Sequence, residues 1–219
     1  RADGSGGNAR GTDAVDLQVT RSAVTQVASG TRSFIGAGEK NSALGTECSV
    51  VGGDTNVAGA GGGANDHAFV GGGNDNTASG EASVVGGGDT NVATAQESVA
   101  VGGNHNTASG LQSVVGGGDT NIASAEESVV AGGGDNTASA QNATVGGGDT
   151  NIASAQNATV SGGSQNTASG VNSHVPGGIL AVADKYGQQA WASGAFANVG
   201  DAQASTCLMR NATVNATPA

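Results

Sequence analysis

The stretches Gly87-Gly88-Asp89-Thr90, Gly117-Gly118-Asp119-Thr120 and Gly147-Gly148-Asp149-Thr150 place a carboxylate after paired glycines at a fixed spacing. Glycine-aspartate repeats of this kind supply the oxygen ligands of calcium-holding β-rolls. Here Gly134 and Ser164 stand where the acid would recur in some of the units. Asp89, Asp119 and Asp149 are therefore weak calcium candidates, and no other metal or cofactor is expected. His67, His105 and His174 share no position of any repeat, so they form no stacked metal site. The glycine-rich loops lack the Lys-Ser/Thr ending of a phosphate cradle, and no serine is singled out as a nucleophile beside a histidine and an acid. Cys48 and Cys207 are too distant for a zinc motif or a disulfide framework and read as two free thiols. Asn142, Asn157, Asn211 and Asn215 each begin an Asn-Ala-Thr triplet, the N-glycosylation pattern, in a chain already rich in all three residues. Without a catalytic constellation, the chain reads as a non-enzymatic protein.

The element that positions these residues is a repeat. Asparagine recurs at Asn41, Asn56, Asn76, Asn91, Asn106, Asn121, Asn136, Asn151 and Asn166, each fifteen places after the last except for one longer step, from Asn56 to Asn76. Gln26 holds the same place one unit earlier. The five extra residues of the longer step fall in Gly59 to Asn65 and read as a loop bulging from one turn; this insertion is the candidate receptor surface. With asparagine as position 1, position 3 is always alanine and position 13 always glycine. Position 10 is β-branched except at Ala100, and position 8 is small.

Fifteen residues cannot hold a pair of helices, and the glycine pair at positions 12 and 13 would break one. Two short strands fit, and stacking the units about 4.8 Å apart pairs each strand with its copies above and below. The predicted fold is all-β: a parallel β-solenoid, or β-roll, of about ten 15-residue turns. Its core is narrow, filled by Ala78, Val85, Ala93, Ala108, Val115, Ala123, Val130, Ala138, Val145, Ala153 and Val160. The asparagines are expected to stack as a hydrogen-bonded ladder at a corner, where this residue also tolerates left-handed backbone.

Position 9 reads Phe34, Ser49, Phe69, Val84, Val99, Val114, Val129, Thr144, Thr159 and His174. Adjacent residues of a strand face opposite ways, so positions 9 and 10 make both faces of this strand apolar. The coil covers one face, and further copies of the chain are expected to cover the other. A second period, two units long, is superimposed: position 2 alternates aliphatic and hydroxyl, and Asp appears at position 14 of alternate units. Carboxylates on every turn would repel at about 4.8 Å; alternation doubles that spacing.

The 219 residues include 41 glycines, only 2 % aromatics and 11 % charged residues, which excludes an ordinary thick-cored enzyme. The formal net charge is −11, and no lysine or arginine occurs from Asn41 to Asp184. Such a shaft repels nucleic acid and anionic membranes. No run of about 18 apolar residues exists, so no membrane insertion is expected. The start at Arg1, without a leader pattern, reads as a processed product or a fragment.

Residues 98 to 110, Ser-Val-Ala-Val-Gly-Gly-Asn-His-Asn-Thr-Ala-Ser-Gly, resemble the head repeats of trimeric autotransporter adhesins. That likeness covers about residues 26 to 178 and implies a β-roll in a homotrimer. The unit is one residue longer than that family's common form. The flanks, Gly11 to Gln18 before the repeats and Ala183 to Ala190, Ala192-Ser-Gly and Gly200 to Gln203 after them, resemble segments that bracket such repeats in bacteriophage tail-fibre and tailspike proteins. Together they imply a structural and adhesive fibre module, extracellular or on a virion surface, that meets a host or cell-surface receptor. A cellular adhesin head is the alternative, and an ice-binding solenoid, suggested by its threonines, is a second. The expected organisation is a connector or cap at 1–25, the solenoid at 26–178 and a cap or connector at 179–219. Tyr186, Trp191 and Phe196, with Leu208 and Met209, would cover the open end of the roll.

Overall fold

The computed structural model describes residues 10–60, 66–195, 198–200 and 202–207. It is a parallel β-solenoid of about twelve turns with no helix among the described residues. Most strands are two residues long, because a 15-residue turn with three corners leaves room for little more. Positions 9 and 10 build the longer sheet, from Val15–Asp16 through Val84–Val85 to Gln189–Ser193. Positions 2 and 3 build a ten-stranded sheet from Ser42–Ala43 to Val182–Ala183. A third ladder of single bridges joins position 14 of successive turns, as in Asp89 to Asn104 and Asn104 to Asp119. The stack thus continues past the asparagine repeat at both ends.

Register is set by the repeat itself. Val99 pairs with Val84 and Val114, and Thr107 pairs with Val92 and Ile122, so each residue meets its own position in the neighbouring turns. Strand N–H groups donate forward, for example Val99 to the Ser113 carbonyl at 2.9 Å and Val92 to the Asn106 carbonyl at 2.8 Å. The valine of position 10 and the alanine of position 3 point inward and are completely buried, as at Val85, Ala93, Val115 and Ala123. All the core residues expected from the sequence occupy this interior.

Corners are made by left-handed residues, and they are not the position-1 asparagines. Positions 7 and 15 carry φ between 42° and 64° whatever their side chain: Ala82, Glu97, Gln112 and Asn142 at one corner, Thr90, His105 and Gln165 at another. The reason lies in the backbone. At these positions the N–H turns back to the preceding turn, as Glu97 donates to the Glu81 carbonyl at 2.8 Å and Thr90 to the Asn74 carbonyl at 2.9 Å. Satisfying a main-chain donor offsets the cost of a sparsely populated conformation.

Position 13 needs glycine on two counts. At Gly88 φ is 94°, and a Cβ would lie 2.1 Å from the Gly103 carbonyl oxygen and 2.7 Å from Asn91 Nδ2. The two-unit period is also visible here. Where position 11 is glycine, as at Gly116 and Gly146, the following glycine has φ of 143°; where it is Val101 or Ala131, it does not.

Candidate interaction surface

Inside the position-1 corner runs the asparagine ladder. Asn91 Nδ2 donates to the carbonyls of Gly87 and Gly103, both at 2.9 Å, and faces Asn76 Oδ1 at 3.2 Å; that oxygen also accepts the Asn91 backbone N–H at 2.9 Å. The pattern recurs from Asn41 to Asn166, all nine side chains are fully buried, and Asn166 Oδ1 ends it by accepting the Ala181 N–H at 2.9 Å. They form the ladder expected at this corner and bond its glycine carbonyls, although none has left-handed backbone.

Gln26 is not the first rung. Its side-chain oxygen accepts the N–H groups of Ser22 and Ala23 in a local turn. Gln18 takes that place, its Oε1 accepting the Asn41 N–H at 2.8 Å and its Nε2 donating to the Gln26 carbonyl at 2.9 Å. Beside it Asp16 is buried, accepting from Arg21 Nη2 at 2.7 Å and from the Ala28 N–H at 3.2 Å. A polar plug therefore closes the amino-terminal end. Composition alone hides it, because Gln18 stands off the repeat interval, too far along the chain from Asn41 to be its copy one unit earlier.

The other end is closed by a hairpin. Strand Gln203–Thr206 runs antiparallel to Gln189–Ser193, with Trp191 opposite Ala204. Ala190 and Ala192 face inward, whereas Trp191 and Tyr186 are 45 % and 59 % exposed. The expected aromatic lid is thus corrected for these two rings: small side chains fill the last rung, which is too narrow for an indole. Gln203 seals the edge, accepting from the Val182 N–H at 2.8 Å and donating to its carbonyl at 2.9 Å. Phe196, Leu208 and Met209 lie outside the described residues, as do residues 61–65 of the insertion.

Asp89, Asp119 and Asp149 sit on the outer ladder at position 14, on alternate turns. Asn104 separates the first two and Gly134 the last two; Asn74 Nδ2 donates to Asp89 Oδ1 at 2.8 Å and Asn104 Nδ2 to Asp119 Oδ1 at 3.0 Å. Asp149 takes a bond from its neighbour's hydroxyl, Thr150 Oγ1, at 3.1 Å. The three carboxylates do not converge. Among the described residues no group of three His, Cys, Asp or Glu side chains can hold a metal ion. His67, His105 and His174 are likewise kept apart: His67 pairs with Glu47 at 2.9 Å, and His174 Nε2 lies 3.0 Å from Ser161 Oγ.

Around the position-7 corner, Arg32 Nε donates to Glu47 Oε1 at 2.8 Å. The Arg32 guanidinium, with His67 on the other side, holds the Glu47 carboxyl below its ordinary value. Behind it Cys48 is buried in the place of the usual serine, and burial pushes its thiol up. Cys207 is exposed, and neither cysteine is in a disulfide.

What remains outward are two uncharged faces. On the longer sheet, position 9 presents Phe34, Phe69, Val84, Val99, Val114 and Val129, flanked by Val51 and Val101 at position 11. These side chains are half-buried or exposed, with Phe69 at 38 % and Val101 at 53 %. No charged residue occurs at position 9 or 11 from Phe34 to Ser161. On the second sheet Thr77, Val92, Thr107, Ile122, Thr137, Ile152 and Thr167 follow one another in register, beside a column of Ser109, Ser124, Ser139 and Ser154. No model of a known protein family matches the chain, and no curated protein matches it. Among the described residues no helix is long and apolar enough to cross a membrane.

Proposed function

We propose that the chain is a non-enzymatic structural and adhesive fibre module, a homotrimeric solenoid rod of the tail-fibre or adhesin-head kind that contributes to attachment at a host surface. One observation carries the reading. The outward column from Phe34 to Val129 spans seven rungs, roughly 30 Å at the spacing of paired strands, and is apolar at every rung except Ser49. It lacks charge, and its rim carries charge and amides: Arg32, Glu47, Glu97 and Glu127 at position 7, Asp54, Asp89 and Asp119 at position 14. An apolar centre inside a polar rim is the anatomy of a protein interface. Parallel copies would set each column against another over its whole length. The resemblance of residues 26 to 178 to adhesin heads, and of the flanks to phage fibres, gives the surface role, with the receptor left to the outer corners and ends of the rod.

Light scattering tests this. A mass three times that of the 20.6 kDa chain is expected, falling when Val99→Asp and Val114→Asp are introduced together. A monomer at micromolar concentration overturns the fibre reading. Saturable binding of the labelled trimer to intact host cells tests the adhesive part.

The register of threonine and aliphatic residues on the second sheet favours one other reading. Methyl and hydroxyl groups at a constant rung spacing form an ordered, uncharged surface suited to ice. Thermal hysteresis of the purified protein, absent from Thr107→Lys and Thr137→Lys variants, is its test.

A further inference from the structure

We propose that Asn142 and Asn157 are acceptor sites for N-linked glycans, displayed on adjacent turns at one corner of the rod. The proposal rests on the adhesin-head form of the proposed function, in which the chain is exported to a cell surface. Both begin an Asn-Ala-Thr triplet, and the fold separates them sharply from the other asparagines of the same turns. Asn136 and Asn151 are fully buried, with both Nδ2 hydrogens committed to carbonyls. Asn142 and Asn157 sit at left-handed corner positions, φ 57° and 56°, with their amides at the surface.

Three positions change together in these two turns. Position 7 becomes asparagine in place of Glu97, Gln112 or Glu127. Position 8 becomes Ala143 or Ala158, giving up the hydroxyl that at Ser83, Ser98 and Ser128 bonds back to the position-5 carbonyl at 2.6 to 2.7 Å. Position 9 becomes Thr144 or Thr159, half-buried on the outward face where Val84 to Val129 form the apolar column. The interior does not require these changes, since Val145 and Val160 fill it as valine does in neighbouring turns. The apolar column ends where the triplets begin, so a sugar at this corner stands clear of the proposed contact between copies.

The chemistry fits the geometry. Nδ2 of the acceptor attacks the anomeric carbon of a lipid-diphosphate-linked oligosaccharide. A nitrogen–carbon bond forms, the carbon–oxygen bond to the diphosphate breaks, the amide gives up one proton, and the lipid diphosphate leaves with the bonding electrons. Asn142 Nδ2 donates once, to Asn157 Oδ1 at 3.2 Å, and Asn157 Nδ2 once, to Asn172 Oδ1 at 2.8 Å. One hydrogen on each is therefore spare for substitution, and a substituted amide retains an N–H for the ladder. Asn172 shares the corner but is followed by Ser173 and His174, outside the motif, and serves as an internal control.

The test is secretion of the full chain from a eukaryotic host that performs N-glycosylation, followed by peptide mapping of the folded, secreted protein. Cleavage before Asp135, Asp149 and Asp184 puts Asn142 and Asn157 on separate peptides, which trypsin cannot do for lack of any basic residue between them. The expected result is glycan on both peptides, removed by a glycan-releasing amidase that leaves aspartate at each site, and none at Asn172. Thr144→Val and Thr159→Val restore the valine of neighbouring turns, and each removes glycan from its own peptide alone. Secreted protein unmodified at both sites overturns the proposal, as does glycan that survives the threonine changes. A trimer that binds cells without glycan leaves the fibre reading standing. A glycosylated monomer that binds nothing overturns that reading while leaving these sites in place.

Discussion

At position 1 of nine successive turns an asparagine is fully buried with every polar atom of its side chain engaged, while position 14 carries Asp, Asn, Gly, Ser, Glu or Ile at the surface. Both columns run the length of the rod at the same rung spacing, and both make hydrogen bonds from turn to turn. The inner one tolerates a single residue type because Nδ2 must reach two glycine carbonyls while Oδ1 accepts from the next rung. The outer one needs only that carboxylates are not adjacent. Burial, not the repeat, decides which column is invariant: an unmet polar group inside is costly, and outside water replaces it.

Reversing donor and acceptor inside should therefore have the largest effect. Asn106→Asp aims a carboxylate at the Gly102 and Gly118 carbonyls, which now accept from Nδ2 at 2.9 Å each. Leaving a buried charge uncompensated costs about 3–5 kcal/mol. For a chain of this size each kcal/mol lowers the melting temperature by about 2–4 °C, so a loss of about 10 °C is expected in thermal unfolding followed by circular dichroism. A variant melting with the wild type would show that the ladder contributes nothing beyond packing.

Much of this contrast could be read before the fold was known, and the part that could not has a physical reason. The valine of position 10, the alanine of position 3 and the glycine of position 13 repeat because side-chain volume or its absence is what each site demands. The left-handed corners gave no such sign. Ala82, Glu97, Gln112 and Thr90 adopt them to direct a main-chain N–H to the preceding turn, a demand that any residue meets equally. The end plugs were hidden for a related reason: Asp16, Gln18 and Gln203 lie off the repeat register and act by meeting backbone groups, whereas the conspicuous Trp191 stays outside. The outward face of position 9 was legible from its apolar partner at position 10, whereas the alternating position 2 gave no sign that it forms a second outer face.

The next contrast is between the two sides of one strand. Val115 is fully buried and Val114, beside it, is not. Val115→Ala removes two methyl groups from a core that cannot collapse along a fixed stack, and about 2 kcal/mol of stability is expected to go with them. Val114→Ala should leave the isolated turn within about 0.5 kcal/mol of the wild type and weaken association instead. Chemical denaturation at low concentration reads the first effect, and the concentration dependence of the scattering mass reads the second. Equal losses from both in the dilute monomer would mean that the outward valines serve the chain alone.

On the outer ladder a comparable error should be small and reversible. Asn104→Asp places three carboxylates in succession, with Asp89 and Asp119 as neighbours. Unit charges about 4.8 Å apart in water repel by about 1 kcal/mol per pair, and salt screens the interaction. A loss of up to about 1 kcal/mol in dilute buffer, mostly recovered at about 1 M salt, is the expected outcome. Persistence of the whole loss in high salt would mean that the Asn104–Asp119 hydrogen bond, not charge spacing, sets the alternation.

The smallest effect concerns the exposed pair at the position-7 corner. Hydrogen bonding and attraction from Arg32 hold the folded Glu47 carboxyl below its ordinary value of 4.5. A carboxyl depressed on folding binds fewer protons in the native state than in the unfolded chain. Its contribution is therefore present above about pH 4.5 and is lost as pH falls through the folded value. Both partners are open to solvent, so the contribution is slight. Melting temperatures taken from about pH 6 down to about pH 3 should fall a little less steeply for Glu47→Gln than for the wild type, and the difference should vanish in high salt. The Asp184–Lys185 pair, 2.7 Å apart at the far end, depresses Asp184 in the same direction and remains intact in that variant. Glu47→Gln thus reports one corner only. If its slope matches the wild type, the Arg32–Glu47 contact contributes nothing to folding, and the inner ladder's dependence on burial extends to ion pairs on this rod.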